Sequence, residues 1–484
     1  RGCGDTVEGV SKPKHLVIPP ELEGEMTPAV KAFVLMLLER IAELEAKVEE
    51  LSKRDPKLTP ENSSLPPSSE HPHAKSTTPQ SKGSRKRRGA QPGHPKHDRD
   101  LIPTDECDQV LALKPETCRK CGQGLGGEDP EPLRHQVWEL PEIRAEVKEY
   151  QRHRLGCPCC GTQTCASLPP GIPQGQSGPR LIAFAGLLMG HYRQSKRRTA
   201  LFLEDLLKMP CSEGLTVKMH CQVAQALEEP YEELKAALGE QSQVFMDETP
   251  TKQAQEKAWL WTVVAPSFAV FAIFPTRKAE ALDKLLGESF EGVIHCDRAK
   301  MYWKAANLQW CWAHLKRDFQ ALIDYPDNQV KRLGHDLMRQ VRLIFKYWRR
   351  YRNKKIGWES FRRYMRPVRN EVEKLLGRGK ISGNKRLVGM CRELYGHKEW
   401  LWTFTRIQGI EPTNNTAERA LRPAVIQRKL SFGTQSETGS RFLERMLSVS
   451  ETCRLQQRSV FDYLVQAVSA SFSKISSPSL LPAL

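Results

Sequence analysis

No apolar run in this chain is long enough to cross a bilayer. The longest, "LIAFAGLLMG" (181–190), falls well short of the ~20 residues a spanning helix needs. It reads as a buried helix, and no membrane is expected as a partner. A basic start followed by an apolar stretch and a small-residue cleavage site is also missing, so no secretory leader is expected; the sequence begins at Arg1. Acids are in deficit. Asp and Glu total 57 against 74 Lys and Arg, a net charge of +17. A surplus of that size attracts polyanions, and nucleic acid is the leading partner before any motif is considered. Cysteine is not scarce, but the 14 residues do not form the dense framework of a small secreted domain. Four of them fall in Cys-x-x-Cys pairs, which suggests metal in a reducing compartment.

At 484 residues the chain should hold two to four folded units. After a tail at 1–26, Thr27 is a natural N-cap with Pro28 at the first helical position. Val34, Ile41 and Val48 then occupy heptad a positions and Leu37, Leu44 and Leu51 the d positions. β-branched a with leucine d predicts a parallel two-stranded coil over 27–54; the alternative is an amphipathic helix packed on its own protein. Residues 55–104 are rich in Pro, Ser, Lys and Arg and are expected to be a disordered basic linker. Within it Arg85, Lys86, Arg87 and Arg88 are candidates for contact with the nucleic-acid backbone.

"CRKCG" (118–122) and "CPCCG" (157–161) follow. Cys118 and Cys121 with Cys157 and Cys160, each pair closed by a glycine, predict a four-thiolate Zn²⁺ ribbon over 105–172, with strands between the pairs. Cys159 is an extra thiol in the second knuckle. Residues 173–241 read as helical. "RRTALFLEDLLK", a polar turn and "LTVKMHCQVAQAL" suggest a helix-turn-helix with Lys218, His220 and Gln222 near the groove.

The chemistry is expected further on. "QVFMDETP" (243–250) reads as a strand ending on Asp247, two more strand-like runs follow, then the helix "KAEALDKLLG", then "GVIHCDRAKMY" (292–302) as a strand ending on Asp297. Three strands, a helix and a strand with acids at those two ends is the layout of a ribonuclease-H-like core, over 242–319 and 406–472. Carboxylates so placed repel unless cations intervene, and hard oxygen ligands suit Mg²⁺ or Mn²⁺. Glu418 in "PTNNTAERALRP" would complete a two-metal site from the first turn of a helix. Each acid alone also admits a structural reading: Glu418 as a helix-dipole partner, Asp297 as a cap paired with Asn307 or Arg298. Between the core halves, 320–405 is expected to be a helical insertion. It interleaves aromatics with Arg349, Arg350, Arg362 and Arg363, expected to face DNA. Arg419, Arg422, Arg428 and Lys429 surround Glu418 and would meet the scissile backbone or hold the site together. His314 and Asn415 are accessory candidates, and 473–484 is a tail.

The zipper helix, "ENSSLPPSS", "GAQPGHPKH", the cysteine pairs, "DETP", "CDRAKMY", "CWAHLKRDF" and "PTNNTAERALRPAVIQRKLSFGTQSETGSRFLERMLSV" together resemble the transposases of the IS66 family of bacterial insertion sequences. The resemblance implies a catalytic Asp, Asp, Glu triad that falls on Asp247, Asp297 and Glu418, with an insertion before the Glu. It also implies DNA ends as substrate, bacterial cytoplasm at the nucleoid as location, at least two protomers, and small accessory proteins from the same element. A DNA-binding protein that no longer cuts, or a nuclease without strand transfer, are the rival readings.

Overall fold

The computed structural model describes residues 26–54, 58–63, 94 and 99–482. The basic cluster Arg85, Lys86, Arg87 and Arg88 and the side chains of Val48 and Leu51 lie outside the described residues. Helix α1, Pro28–Arg54, starts where the sequence places it. Thr27 accepts the Lys31 amide on its carbonyl at 2.9 Å and the Val30 amide on its hydroxyl at 3.4 Å. Val30, Phe33, Leu37, Ile41 and Leu44 are exposed along it, so among the described residues this helix lays no continuous apolar face on its own chain.

The linker expectation needs a correction at 58–63. Asn62 is buried; its Oδ1 accepts the Thr59 amide at 2.7 Å and its Nδ2 donates to Asp324 at 2.9 Å. That piece is fixed by an asparagine pairing with both its own turn and the core. The strands expected between the cysteine pairs are also absent: residues 134–153 form no regular element. Instead β1 (Arg154–Gly156) and β2 (Gln163–Cys165) make a small antiparallel hairpin around the second pair. Val137, Trp138, Leu140 and Val147 are exposed, so their alternation has no core to face.

Helices α2 (Pro179–Gly190), α3 (Lys196–Leu207), α4 (Glu213–Ala226) and α5 (Glu228–Ala236) follow. The apolar run 181–190 is the buried α2, as its composition predicts. It packs so closely on α4 that a Cβ at Gly186 would meet Val223 at 2.7 Å. α3 and α4 do form a helix pair with Ser212 capping α4, but His220 cannot read a groove. It is buried and stacked on Phe442 at 3.8 Å, and burial pushes its pKa down to about 4.

The central sheet has five strands: β3 (Gln243–Gln253), β4 (Glu256–Val264), β5 (Ala269–Phe274), β6 (Val293–Cys296) and β7 (Leu308–Trp310), in the order β5-β4-β3-β6-β7. β3, β4 and β5 are antiparallel; β6 and β7 run parallel to β3. Helix α6 (Glu280–Leu286) makes the crossover between β5 and β6. Helices α7 (Trp312–Ile323), α8 (Asn328–Arg352), α9 (Trp358–Gly379) and α10 (Lys385–Gly396) come after β7. Then α11 (Asn415–Ser431), α12 (Glu437–Leu455) and α13 (Val460–Ser473) close the chain.

Strand alternation divides the core in two. Val244, Met246, Trp261 and Val263 belong to the larger core, which runs on through Trp310 and Trp312 into α8 and α9. Phe245, Leu260, Val264 and Phe271 meet Ala417, Ala420, Leu421 and Ala424 of α11. Three alanines at helical spacing let α11 lie close on the sheet, which brings its first turn down to the strand ends. In α8 and α9, Ile344, Phe361, Met365 and Val368 are buried while Arg349, Arg350, Arg362 and Arg363 are exposed. The aromatics are the glue of that pair, with Tyr347 and Tyr364 stacked at 4.8 Å, and the cations are left outside.

Candidate active site

The β3–β6 ladder pairs Gln243 with Val293, Val244 with Ile294 and Phe245 with His295. Continued two residues further, the same register brings Asp247 level with Asp297. Both then lie on the face of Phe245 and His295, whose rings stack at 4.0 Å, and this is the face that carries α11. The sequence reading needs one adjustment: β3 does not end at Asp247 but runs on to Gln253, paired with β4 along this stretch after β6 has left it. β6 stops instead, because Asp297 Oδ1 accepts the Ala299 amide at 2.8 Å and turns the chain away. Asp247 therefore sits where the sheet forks.

Its surroundings are hostile to charge. Burial first, then Glu248 and Asp297, hold the Asp247 carboxyl well above the usual range, and Glu418 adds to this. Glu248, one residue on, points to the other face and was not singled out by the sequence. Arg277 donates to it at 2.8 and 2.5 Å and the Tyr302 hydroxyl at 2.5 Å, with the side chain only 2% exposed. It pins the strand beneath the site. Asp297 is not capped by either partner weighed from the sequence. Arg298 reaches Asp318 at 3.0 Å and Glu393 at 2.6 Å, and Asn307 donates to the Glu291 carbonyl.

Glu418 lies in the first turn of α11, but the helix is not seated by ordinary N-capping. Asn414 makes no side-chain cap; its Nδ2 donates to the Met246 carbonyl at 2.6 Å and its amide points at Cys311 Sγ, 3.1 Å away. The Trp312 amide donates to Pro412 at 2.9 Å. The loop before Glu418 is thus stitched both to the residue preceding Asp247 and to the start of α7. Asn415, the accessory candidate, is exposed on α11, and the buried Asn414 does the positioning. His314 Nδ1 stands 3.4 Å and Arg317 3.5 Å from Glu418 Oε1. Among the described residues, the set of three ligand atoms within 4.8 Å of one another is Cys311, His314 and Glu418. The three acids of the predicted triad are electrostatic neighbours at wider spacing.

Of the other cations, Arg419, Arg422 and Lys429 are exposed on α11, while Arg428 is half-buried and donates to the Pro250 carbonyl. Past α11, Thr434 pairs with Lys252 and Ala254. Gly433, at φ +108°, lies where a Cβ would meet the Lys252 carbonyl at 2.3 Å, so the turn that returns the chain to β3 requires glycine.

The cysteine pairs form two like turns. Gly122 donates to Cys118 and Gly161 to Cys157, at 2.8 and 2.9 Å, with both glycines at positive φ. The four sulfurs do not gather into one ligand cluster among the described residues. Cys159 is exposed.

The site thus joins an α/β core, acids brought level at a sheet fork and a chain of net charge +17. A model described as the Transposase IS66 family matches residues 174–441, more than half of the chain, and the chain belongs to that family. Residues 13–100 match a second model, a family of unknown function (DUF6444). The chain is also similar to "Uncharacterized protein y4qI" of Sinorhizobium fredii, 24% identical over 309 residues, which are 56% of this chain and 55% of that protein. It thus spans about half the length of that relative. No helix among the described residues is long and apolar enough to cross a membrane.

Proposed function

We propose that the protein is a transposase of the Asp, Asp, Glu type with a ribonuclease-H-like core. It would bind the terminal inverted repeats of its element, hydrolyse a phosphodiester at each end, and join the freed 3′-hydroxyls to target DNA. The observation that supports the reading is the parallel β3–β6 register, which continued two residues brings Asp247 level with Asp297, on the face against which α11 packs. A carboxyl pushed well above its usual range by burial and then by acidic neighbours fits a site built around cations, and all-oxygen donors fit Mg²⁺ or Mn²⁺. Such ions, when bound, activate the attacking oxygen and stabilise the leaving one. Asp247 and Asp297 would hold them, Glu418 would complete the shell, and His314 with Arg317 would orient Glu418. Cys118, Cys121, Cys157 and Cys160 would bind Zn²⁺ by closing their two turns on one ion, outside the core.

The test is a cleavage and joining assay on element-end DNA with Mg²⁺ or Mn²⁺, comparing wild type with Asp297→Asn. Joined product should vanish in the variant while DNA binding persists. Equal joining by both proteins would remove the active site from where it is placed here, and binding without cleavage by either would favour a DNA-binding protein that does not cut.

Arg349, Arg350, Arg362 and Arg363 would contact DNA backbone along α8 and α9. Replacing any two by alanine should weaken binding alike on all sequences. The slope of log affinity against log salt should fall by roughly one per arginine removed, read from titrations at several salt concentrations. α1 would pair two protomers through its exposed a/d residues. A charge at the seam, Leu44→Asp, should convert dimer to monomer in sedimentation runs and leave the fold of residues 174–441 intact by circular dichroism.

A further inference from the structure

Cys311, His314 and Glu418 make a ligand set of which the carboxylate chemistry takes only Glu418 as a ligand. Cys311 immediately precedes α7, His314 lies one turn into it, and Glu418 stands opposite on α11. His314 Nδ1 and Glu418 Oε1 are shielded from solvent, 3.4 Å apart, and neither makes a hydrogen bond. Two ligands at the corners of a tetrahedron, on bonds of about 2.0–2.2 Å, are separated by about 3.4 Å. The sulfur completes the set within 4.8 Å, and the Asn414 amide donates to it at 3.1 Å, which holds the sulfur in place at the start of α7. Thiolate, imidazole and carboxylate are donors for a soft or borderline cation, whereas magnesium prefers oxygen alone.

We propose that Cys311, His314 and Glu418 bind a divalent cation of the zinc class, at a site separate from Asp247 and Asp297 but sharing Glu418 with them. Binding displaces the Cys311 thiol proton to solvent. Arg317 stands 3.5 Å from the same Glu418 oxygen, so its guanidinium and the cation exclude one another. Only the consequence rests on the transposase reading: a soft cation here withdraws Glu418 from the hard-cation site and opposes catalysis.

The probe is Co²⁺, titrated into the full chain of wild type, Cys311→Ser, His314→Ala and Asp297→Asn, with bound metal counted and the thiolate-to-cobalt absorption recorded. Cobalt on the paired cysteines contributes equally to all four and cancels in the differences. Wild type and Asp297→Asn should bind one more ion per chain than the other two and show extra thiolate absorption. Equal uptake and identical spectra in all four overturn the proposal. Should Cys311→Ser fail to fold, His314→Ala, a half-buried site, carries the comparison alone. The two readings fail separately. The cobalt difference with undiminished joining by Asp297→Asn removes the catalytic assignment and keeps this site, and joining lost without a cobalt difference does the reverse.

Discussion

Asp247→Asn is expected to lower DNA joining by at least about 10²- to 10³-fold, the scale on which losing one preorganised contact to the transition state is felt. It is also expected to raise the thermal midpoint of the metal-free protein. Burial, Glu248 and Asp297 together hold the Asp247 carboxyl well above its usual range, so the folded chain keeps a proton that the unfolded chain gives up. Stability from this group is therefore complete below the ordinary carboxylate range and declines as pH rises toward the folded value, the reverse of a salt-bridged aspartate. Asparagine keeps the shape and removes the titration. Melting curves of metal-free wild type and variant should diverge upward in pH with the variant the more stable, and added Mn²⁺ should restore wild type alone. A variant that melts lower than wild type at every pH would mean that Asp247 is held by structural partners and not poised for a cation.

The same elements separate what could be read in the sequence from what could not. The strand that carries Asp247, the strand end before Asp297 and the helix start at Glu418 were legible because apolar periodicity marks regular elements, although β3 runs on past Asp247 to Gln253. The elements themselves, α1, α2, the β3–β5 meander and the α8–α9 pair, follow from the same periodicity. What failed depends on partners distant in the chain. Glu248 differs from Asp247 only by which face it takes, and the face is set by register with β4 and β6. Asn414 and Asn415 are equivalent N-cap types on paper; the Met246 carbonyl, 168 residues away, selects one of them. His220 sits on the same helix as exposed Lys218 and is turned inward by Phe442. The exposed alternation at 137–147 shows the converse, a strand pattern with no second layer to bury it.

A further feature hidden from local reading is the helix that closes the sheet, and it carries the second large expectation. β5 is an edge strand, and α12 runs along that edge with Glu444, Ser448 and Thr452 at successive turns. Their oxygens accept the Ile273, Phe271 and Ala269 amides at 2.5, 2.9 and 3.0 Å. These alternate amides would otherwise be an open template for another strand. Glu444→Ala should cost about 1–3 kcal/mol by leaving the Ile273 amide buried without an acceptor, and should promote aggregation through the bared edge. Glu444→Gln keeps an acceptor and separates bonding from charge. Burial, partly offset by Arg441, pushes the Glu444 carboxyl up to about 7. The folded state thus retains a proton the unfolded state has lost, and its contribution fades as pH climbs from the ordinary glutamate range through about 7, by roughly 3 kcal/mol in all. Above that pH the glutamine variant should be the more stable protein, and its midpoint should vary less with pH than wild type between about pH 5 and 8. Parallel curves for the two would mean that Arg441, whose guanidinium lies 3.1 Å from Glu444 Oε2, keeps the carboxylate charged throughout and that the edge is held by an ion pair.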